Sequence, residues 1–255
     1  MEKEGKYIYC IIESKQERHF GPIGIGGRGD EVVTIGYDDI SMVLSNYPIS
    51  RLTANRANML AHQKAIEEVM KEFDSVLPVR FGTIASGPDE IRNLLDRRYK
   101  EFRNTLRDMD HKVELGIKGI WNDMDVVFSE IVEGNETIKN LRKQLKGKGS
   151  QSVQVKINIG QLVKKELDQK KEKQAEEVVD RLRRMSYEYK LNKTIGDEMF
   201  MNVAFLVDKG REKEFDNTMD DLCDEYEDKM KFMYAGPLPV FNFVNILIYP
   251  EAWER

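Results

Sequence analysis

Apolar and polar positions follow two different periods along the chain, and these periods predict its elements. Short runs rich in β-branched and aromatic residues predict strands, and apolar residues three to four apart predict helices. The predicted strands are Tyr7–Ile12, Val32–Ile35, Ile40–Leu44, Val76–Ile84, Lys112–Trp121, Met199–Val207, Lys231–Tyr234 and Phe241–Ile248. The predicted helices run over Asn55–Phe73, Pro88–Met109, Asp123–Leu145 with a break at Gly134–Asn135, Gly160–Lys190 and Phe215–Tyr226.

The order of these elements predicts an α+β fold rather than a strictly alternating α/β one. A chain of 255 residues is long enough for two domains. We predict an N-terminal domain over residues 1–121 and a second, smaller one with long helices over residues 122–255. The segment Lys146–Gln151, rich in glycine and lysine, is typical of a linker.

Composition narrows the classes of function. The formal net charge of −5 argues against nucleic acid as a primary partner, since phosphate contacts need a basic surface. The two cysteines, Cys10 and Cys223, are not spaced as a metal or redox motif and are predicted to be small core residues. No apolar run is long enough to span a bilayer, so we expect a cytoplasmic protein.

A glycine cluster, Gly24-x-Gly26-Gly27-x-Gly29, invites comparison with a dinucleotide-binding turn. That turn needs a helix directly after it, whereas Asp30, Glu31 and a predicted strand follow here. The pattern favours a sharply turning loop.

Other catalytic or metal patterns are weak. His19, His62 and His111 are too scattered for a metal motif, and His62 is predicted to pack or cap. Ser86 precedes a helix without the glycine spacing of a nucleophile elbow and is better explained as helix-entry chemistry. We therefore predict no catalytic residue, no metal and no cofactor.

Two segments offer contact sites instead. Arg80 lies in an apolar run and is expected to be buried, either in a structural ion pair, which we favour, or as a fork for a partner's carboxylate. The prolines of Gly236-Pro237-Leu238-Pro239 predict a stiff turn with an unpaired edge. That turn either docks a partner or closes the domain.

Six motifs in order along the chain resemble the gas vesicle accessory proteins of the F/L type. They are Tyr7-Ile8-Tyr9, Phe20-Gly21-Pro22-Ile23-Gly24, Leu77-Pro78-Val79-Arg80-Phe81-Gly82-Thr83, Glu114–Lys118 running to Trp121, Asn202–Val207, and Gly236–Pro239 with Asn242-Phe243-Val244. The resemblance extends from Lys6 to about Ile248. It departs at Val240-Phe241, where the family commonly continues with proline and tyrosine.

The resemblance implies two α+β domains related to a ferredoxin-like arrangement, with no known catalysis. It also implies contact with the gas vesicle shell protein and other accessory proteins, and a minor structural place in the shell. Our leading hypothesis is therefore a gas vesicle assembly protein that acts by protein–protein contact in the cytoplasm and at the gas vesicle. The candidate partner-binding residues are Phe20, Gly21, Pro22, Ile23, Arg80, Phe81, Gly236, Pro237 and Pro239.

An alternative hypothesis is a small-molecule enzyme on a ferredoxin-like scaffold, such as a cofactor-independent oxygenase. One scaffold hosts many functions, so the fold does not separate the two hypotheses. A closed pocket with converging polar groups would favour the enzyme, and the sequence offers no such cluster.

Overall fold

The fold is mixed helix and antiparallel sheet, as predicted. A computed structural model of the chain describes residues 3–50, 52–145 and 152–249. The predicted linker at residues 146–151 lies outside them. Two compact units are present, one of Met1–Glu114, Asp208–Gly210 and Gly236–Arg255, the other of Leu115–Val207 and Arg211–Ala235. The domain boundary predicted after Trp121 stays a prediction. The same holds for the predicted ferredoxin-like fold of each half.

The first unit is built on a sheet with β1 in its middle. Its strands are β1 (Glu4–Glu13), β2 (His19–Gly21), β3 (Val32–Tyr37), β4 (Ile40–Pro48), β5 (Val76–Pro78) and β6 (Ile84–Ala85). The order is β2-β3-β4-β1-β5, with β6 also pairing with β1, and the pairs described are antiparallel. β3 and β4 form a hairpin, with Tyr37 opposite Ile40. The apolar run of β1 is buried along its whole length because β1 lies inside the sheet, where other parts of the protein cover both of its faces.

Three helices accompany this sheet: α1 (Arg56–Met70), α2 (Pro88–Arg97) and α3 (Tyr99–Asp108). Asn55 caps α1 through its side chain, which accepts from the Asn58 N–H. Ser86 donates from both its N–H and its hydroxyl to the Glu90 carboxylate, which confirms its predicted role at a helix entry. The single helix predicted over Pro88–Met109 is two helices, because the helical conformation is interrupted at Arg98.

The second unit contains helices α4 (Met124–Gly134), α5 (Glu136–Leu145), α6 (Ser152–Leu182) and α7 (Glu212–Tyr226). Its sheet has the order β10-β7-β9-β8, with β7 (Lys112–Trp121), β8 (Ser186–Leu191), β9 (Met199–Asp208) and β10 (Met230–Leu238). Short 3₁₀ turns at Arg183–Met185 and Lys209–Arg211 precede β8 and α7. The break predicted at Gly134–Asn135 is confirmed, since α4 ends at the first of these residues.

Several predictions for the C-terminal half are wrong. The long helix runs over Ser152–Leu182 rather than Gly160–Lys190, and β8 takes the place of its predicted end. Leu182, Met185 and Tyr189 fit a helical period, but Tyr189 and Leu191 also fit a strand, and pairing with β9 decides between them. Phe241–Ile248 is not a strand: it turns at Phe241–Phe243 and makes one parallel bridge, between Ile246 and Val79.

Candidate protein-binding surface

A buried tyrosine–histidine network lies at the centre of the first unit. Tyr7 and Tyr9 are two residues apart on β1, so both rings point to the same face of the sheet, 4.9 Å apart. α1 brings His62 against both rings, each with its centroid 5.7 Å away. All three side chains are buried. The histidine therefore packs in the core, as predicted.

Hydrogen bonds determine the tautomer of His62. Its Nε2 lies 3.2 Å from the carbonyl oxygen of Val79, which can only accept, so Nε2 carries the hydrogen. Nδ1 then accepts from the Tyr7 hydroxyl at 2.9 Å. The same hydroxyl accepts from the Gly82 N–H at 3.2 Å. The neutral imidazole satisfies every one of these contacts.

Protonation would disturb this arrangement. With a hydrogen on both ring nitrogens, His62 could no longer accept from Tyr7, and that hydroxyl hydrogen would lose its acceptor. Burial disfavours the charged form and lowers the pKa of His62 to about 4, against a smaller opposing effect of the Val79 carbonyl. Burial likewise raises the pKa of Tyr7. Both groups are neutral at pH 7.

The network holds two of the segments selected from the sequence. The Tyr9 hydroxyl accepts from the Ile25 N–H at 2.7 Å, which ties the glycine-rich loop to β1. Tyr7 ties down Gly82 in the turn after β5, where the Thr83 hydroxyl also donates to the Arg80 carbonyl at 2.7 Å. Two adjacent core tyrosines thus position two surface loops.

Around His62 this network reaches the surface through the rings of Phe81 and Phe241. We group with them two exposed neighbours, Met59 on α1 and Arg80 next to Phe81 in the chain, and call the four residues the aromatic surface: Met59, Arg80, Phe81 and Phe241. Phe81 is half-buried with its ring 5.7 Å from that of His62, and Phe241 lies 6.1 Å away and is 41% exposed. Met59, 54% exposed, precedes His62 by three residues on α1 and therefore lies on the neighbouring part of the helix. Arg80 adds an exposed guanidinium beside Phe81.

The C-terminal segment that carries Phe241 is anchored within the first unit. The buried Glu114 carboxylate accepts from the Asn242 N–H at 2.8 Å and from its side-chain amide at 2.6 Å. Arg98 donates to the Leu247 carbonyl at 2.7 Å. Phe241 is therefore held on a fixed backbone although its ring is exposed.

The residues predicted as contacts divide by exposure. Arg80 is exposed, so the prediction of a buried ion pair is wrong: β5 ends at Pro78, and the turn that follows points the guanidinium outward. Pro22, Ile23, Gly236 and Pro237 are also exposed. Gly21 and Phe81 are half-buried, whereas Phe20 and Pro239 are buried, Phe20 with its ring 6.3 Å from Phe73. The Gly236–Pro239 segment is not a free turn, because β10 continues to Leu238.

Comparison with known proteins identifies the family. Residues 5–245 match the family described as Gas vesicle synthesis protein GvpL/GvpF. The chain belongs to this family. It is 26% identical to gas vesicle protein F1 of Halobacterium salinarum, with 98% of each chain covered. It is also 26% identical to gas vesicle protein F of a Streptomyces species, over 94% of this chain and 99% of that protein.

Solved structures from the same family share the fold. The crystal structure of GvpF from Anabaena has a TM-score of 0.81 at 22% identity and covers 96% of this chain and 100% of its own. GvpF from Microcystis aeruginosa has a TM-score of 0.80, also at 22% identity, over 95% and 99% of the two chains. The predicted family and α+β fold class are confirmed.

Sequence reasoning missed Met59 and Phe241 as members of the aromatic surface. Phe241 was assigned to a strand, and Met59 lies in the helix predicted over Asn55–Phe73. Phe241 joins this surface through its contact with the His62 ring, and Met59 through its place three residues before His62 on α1. The sequence signal for Phe241 was its position directly after a proline-rich stretch, where a strand is hard to sustain.

Other features of the described residues bear on the alternatives. Within residues 3–50, 52–145 and 152–249, no group of three histidine, cysteine or acidic side chains is arranged to hold a metal ion. In the same part of the chain, no helix is both long enough and apolar enough for a membrane span. Cys10 is buried as predicted, but Cys223 is exposed on α7, so its assignment to the core is wrong.

Proposed function

We propose that this chain is a non-catalytic gas vesicle assembly protein and minor structural component that binds the gas vesicle shell protein and other accessory proteins. It would act in the cytoplasm and at the gas vesicle. Membership of the gas vesicle family supports the assembly role. The proposal of direct binding rests on the aromatic surface.

The composition of the aromatic surface supports a protein partner. Aromatic residues, methionine and arginine are enriched in protein–protein interfaces, and Arg80, Phe81, Phe241 and Met59 supply all three types. The rings rest on the hydrogen-bonded His62 network, so little side-chain freedom is lost when a partner binds. A rigid, exposed aromatic group is the usual centre of binding energy in such interfaces.

The exposed residues among the other candidates extend the proposal. Pro22 and Ile23 lie on the loop that Tyr9 holds, and Gly236 and Pro237 lie near the start of the segment that carries Phe241. We assign Phe20 and Pro239, both buried, to supporting roles beneath these contacts.

The test is co-expression of the tagged chain with the gas vesicle shell protein, followed by measurement of the amount retained. Phe241→Ala should reduce the affinity roughly tenfold or more, as expected for an interface aromatic. Tyr37→Ala is the matched control, because Tyr37 is 38% exposed and also lies 6.1 Å from one ring, that of Tyr99. Arg80→Lys should weaken retention while leaving the melting temperature nearly unchanged.

If the wild type, Phe241→Ala and Tyr37→Ala retain equal amounts of shell protein, the aromatic surface is not the shell-binding site. If even the wild-type chain retains no shell protein, direct shell binding is wrong. The same variants are then tested against the other accessory proteins.

A further inference from the structure

Strand β8 forms one edge of the sheet in the second unit. Within the described residues, β9 pairs with one side of β8, and no strand lies on its other side. Its side chains Tyr187, Tyr189 and Leu191 are 61%, 38% and 67% exposed. An edge strand with exposed apolar residues is a template for pairing with another chain.

The backbone direction of β8 follows from the residue after it. The Asn192 N–H donates to the Asn202 carbonyl at 2.7 Å, so the backbone groups of Asn192 face β9. Because successive residues of a strand direct these groups to opposite sides, those of Tyr189 and Leu191 face away from β9. The regular part of the outer edge thus offers the backbone groups of Tyr189 and Leu191, while Tyr187 lies at the bulge between Ser186 and Glu188.

We propose that two copies of this chain associate through β8, antiparallel, about a two-fold axis at Tyr189. In this register Tyr189 lies opposite Tyr189 of the second copy, in a hydrogen-bonded pair. Glu188 then lies opposite Lys190 of the second copy, and the symmetry repeats that attraction. The interaction goes beyond the proposed function and does not depend on it.

Charge complementarity favours a second copy of this chain over an unrelated strand as the pairing partner of β8. Glu188 and Lys190 are 55% and 45% exposed in their side chains and lie 3.8 Å apart within one chain. They flank Tyr189 with opposite signs, which is the arrangement that makes an antiparallel strand complementary to itself. The opposing pair is a non-hydrogen-bonded one, where the two strands approach most closely.

Two features of β8 are also used by proteins to protect an edge: a lysine and a β-bulge. The bulge lies between Ser186 and Glu188, at the start of the strand, and the register from Glu188 to Leu191 is regular. The lysine repels a second strand only where no acid faces it, and the two-fold register supplies Glu188. The lysine and the bulge therefore favour the self-complementary register of two copies of β8 and do not prevent pairing at this edge.

Charge substitutions test the register in the full chain, by sedimentation velocity over a concentration series. The wild type should show dimers at its highest concentrations. Lys190→Glu alone should weaken association roughly tenfold or more, because it places like charges opposite each other twice. The double variant Glu188→Lys with Lys190→Glu should restore it, since the swapped charges are again complementary. Unchanged melting temperatures confirm that each variant is folded.

A cysteine at the symmetry axis gives a second, independent readout. In a Cys223→Ser background, Tyr189→Cys should form a disulfide-linked dimer on oxidation. Opposite residues of a hydrogen-bonded pair have Cα atoms about 5.5 Å apart, within disulfide range. Leu191→Cys is the matched control: it is more exposed than Tyr189 but lies opposite Tyr187 of the second copy, so it should remain largely reduced.

The proposal is overturned if the wild type stays monomeric at every concentration. It is also overturned if Leu191→Cys crosslinks as readily as Tyr189→Cys. A double charge variant that associates no better than Lys190→Glu would likewise refute the register.

Discussion

Lowering the pH should destabilise the first unit through His62. The folded state holds this imidazole neutral, with its pKa lowered to about 4 by burial, whereas an unfolded chain has an ordinary histidine near pH 6.5. Between these two values the unfolded state binds more protons than the folded one, so the free energy of unfolding falls as the pH falls. The stabilisation is fully present above pH 6.5 and is lost towards pH 4.

The size of the effect follows from the two pKa values. Each unit of difference corresponds to about 1.4 kcal/mol, so the whole difference contributes about 3 kcal/mol. Of this, about 2 kcal/mol is lost between pH 7 and pH 5. Carboxylates throughout the chain also titrate as the pH is lowered, so only a comparison of variants isolates the histidine.

The assay compares urea unfolding of the wild type and His62→Gln at pH 7 and pH 5, followed by circular dichroism. Glutamine does not titrate, so the wild type should lose about 2 kcal/mol more between the two pH values than the variant does. His19→Gln, which removes an exposed histidine on β2, serves as the control and should follow the wild type. Equal losses in the wild type and His62→Gln would refute the lowered pKa of His62 in the folded state.

Three further predictions concern the segments around the aromatic surface. Glu114→Ala should lower the free energy of unfolding, measured by urea unfolding, by about 1–3 kcal/mol, because it leaves the Asn242 donors without their carboxylate. Glu114→Gln, which can keep one acceptor, should lower that free energy by less. Gly82→Ala should cost about 1–2 kcal/mol because φ is +86°, whereas Gly87→Ala, with extended backbone and open space, should be nearly neutral in thermal melting. Ser86→Ala should cost about 1 kcal/mol by removing one of two bonds to Glu90, and no change in melting temperature would contradict its role at the helix entry.

Local patterns were reliable where one face of an element is buried along its whole length. β7 was predicted over its observed bounds, Lys112–Trp121, and the interruption at Gly134–Asn135 was also correct. The glycine cluster is followed by a strand, as predicted, since β3 begins at Val32. In these places, propensity, burial and turn chemistry all favour the same answer.

Predictions from apolar periodicity were wrong where the same residues fit both a helical and a strand period. They were also wrong where a turn decides whether a side chain is exposed. The segment after Leu182 fits a helix and a strand, and only the partner strand β9 separates them. Arg80 sits in an apolar run, yet it is exposed because β5 ends two residues earlier. A sequence pattern reports which residues are apolar, but not where the last ladder hydrogen bond of a strand falls.

The sequence by itself determined the family, the α+β class and most helices and strands, because these depend on short-range spacing and on motifs that occur in order. The aromatic surface was decided by tertiary structure alone. It joins α1, the turn after β5 and the C-terminal segment, with Met59 and Phe241 lying far apart in the chain. Where those elements meet, buried Tyr7, His62 and Glu114 each form a hydrogen bond with a distant segment, and no local pattern encodes such partners.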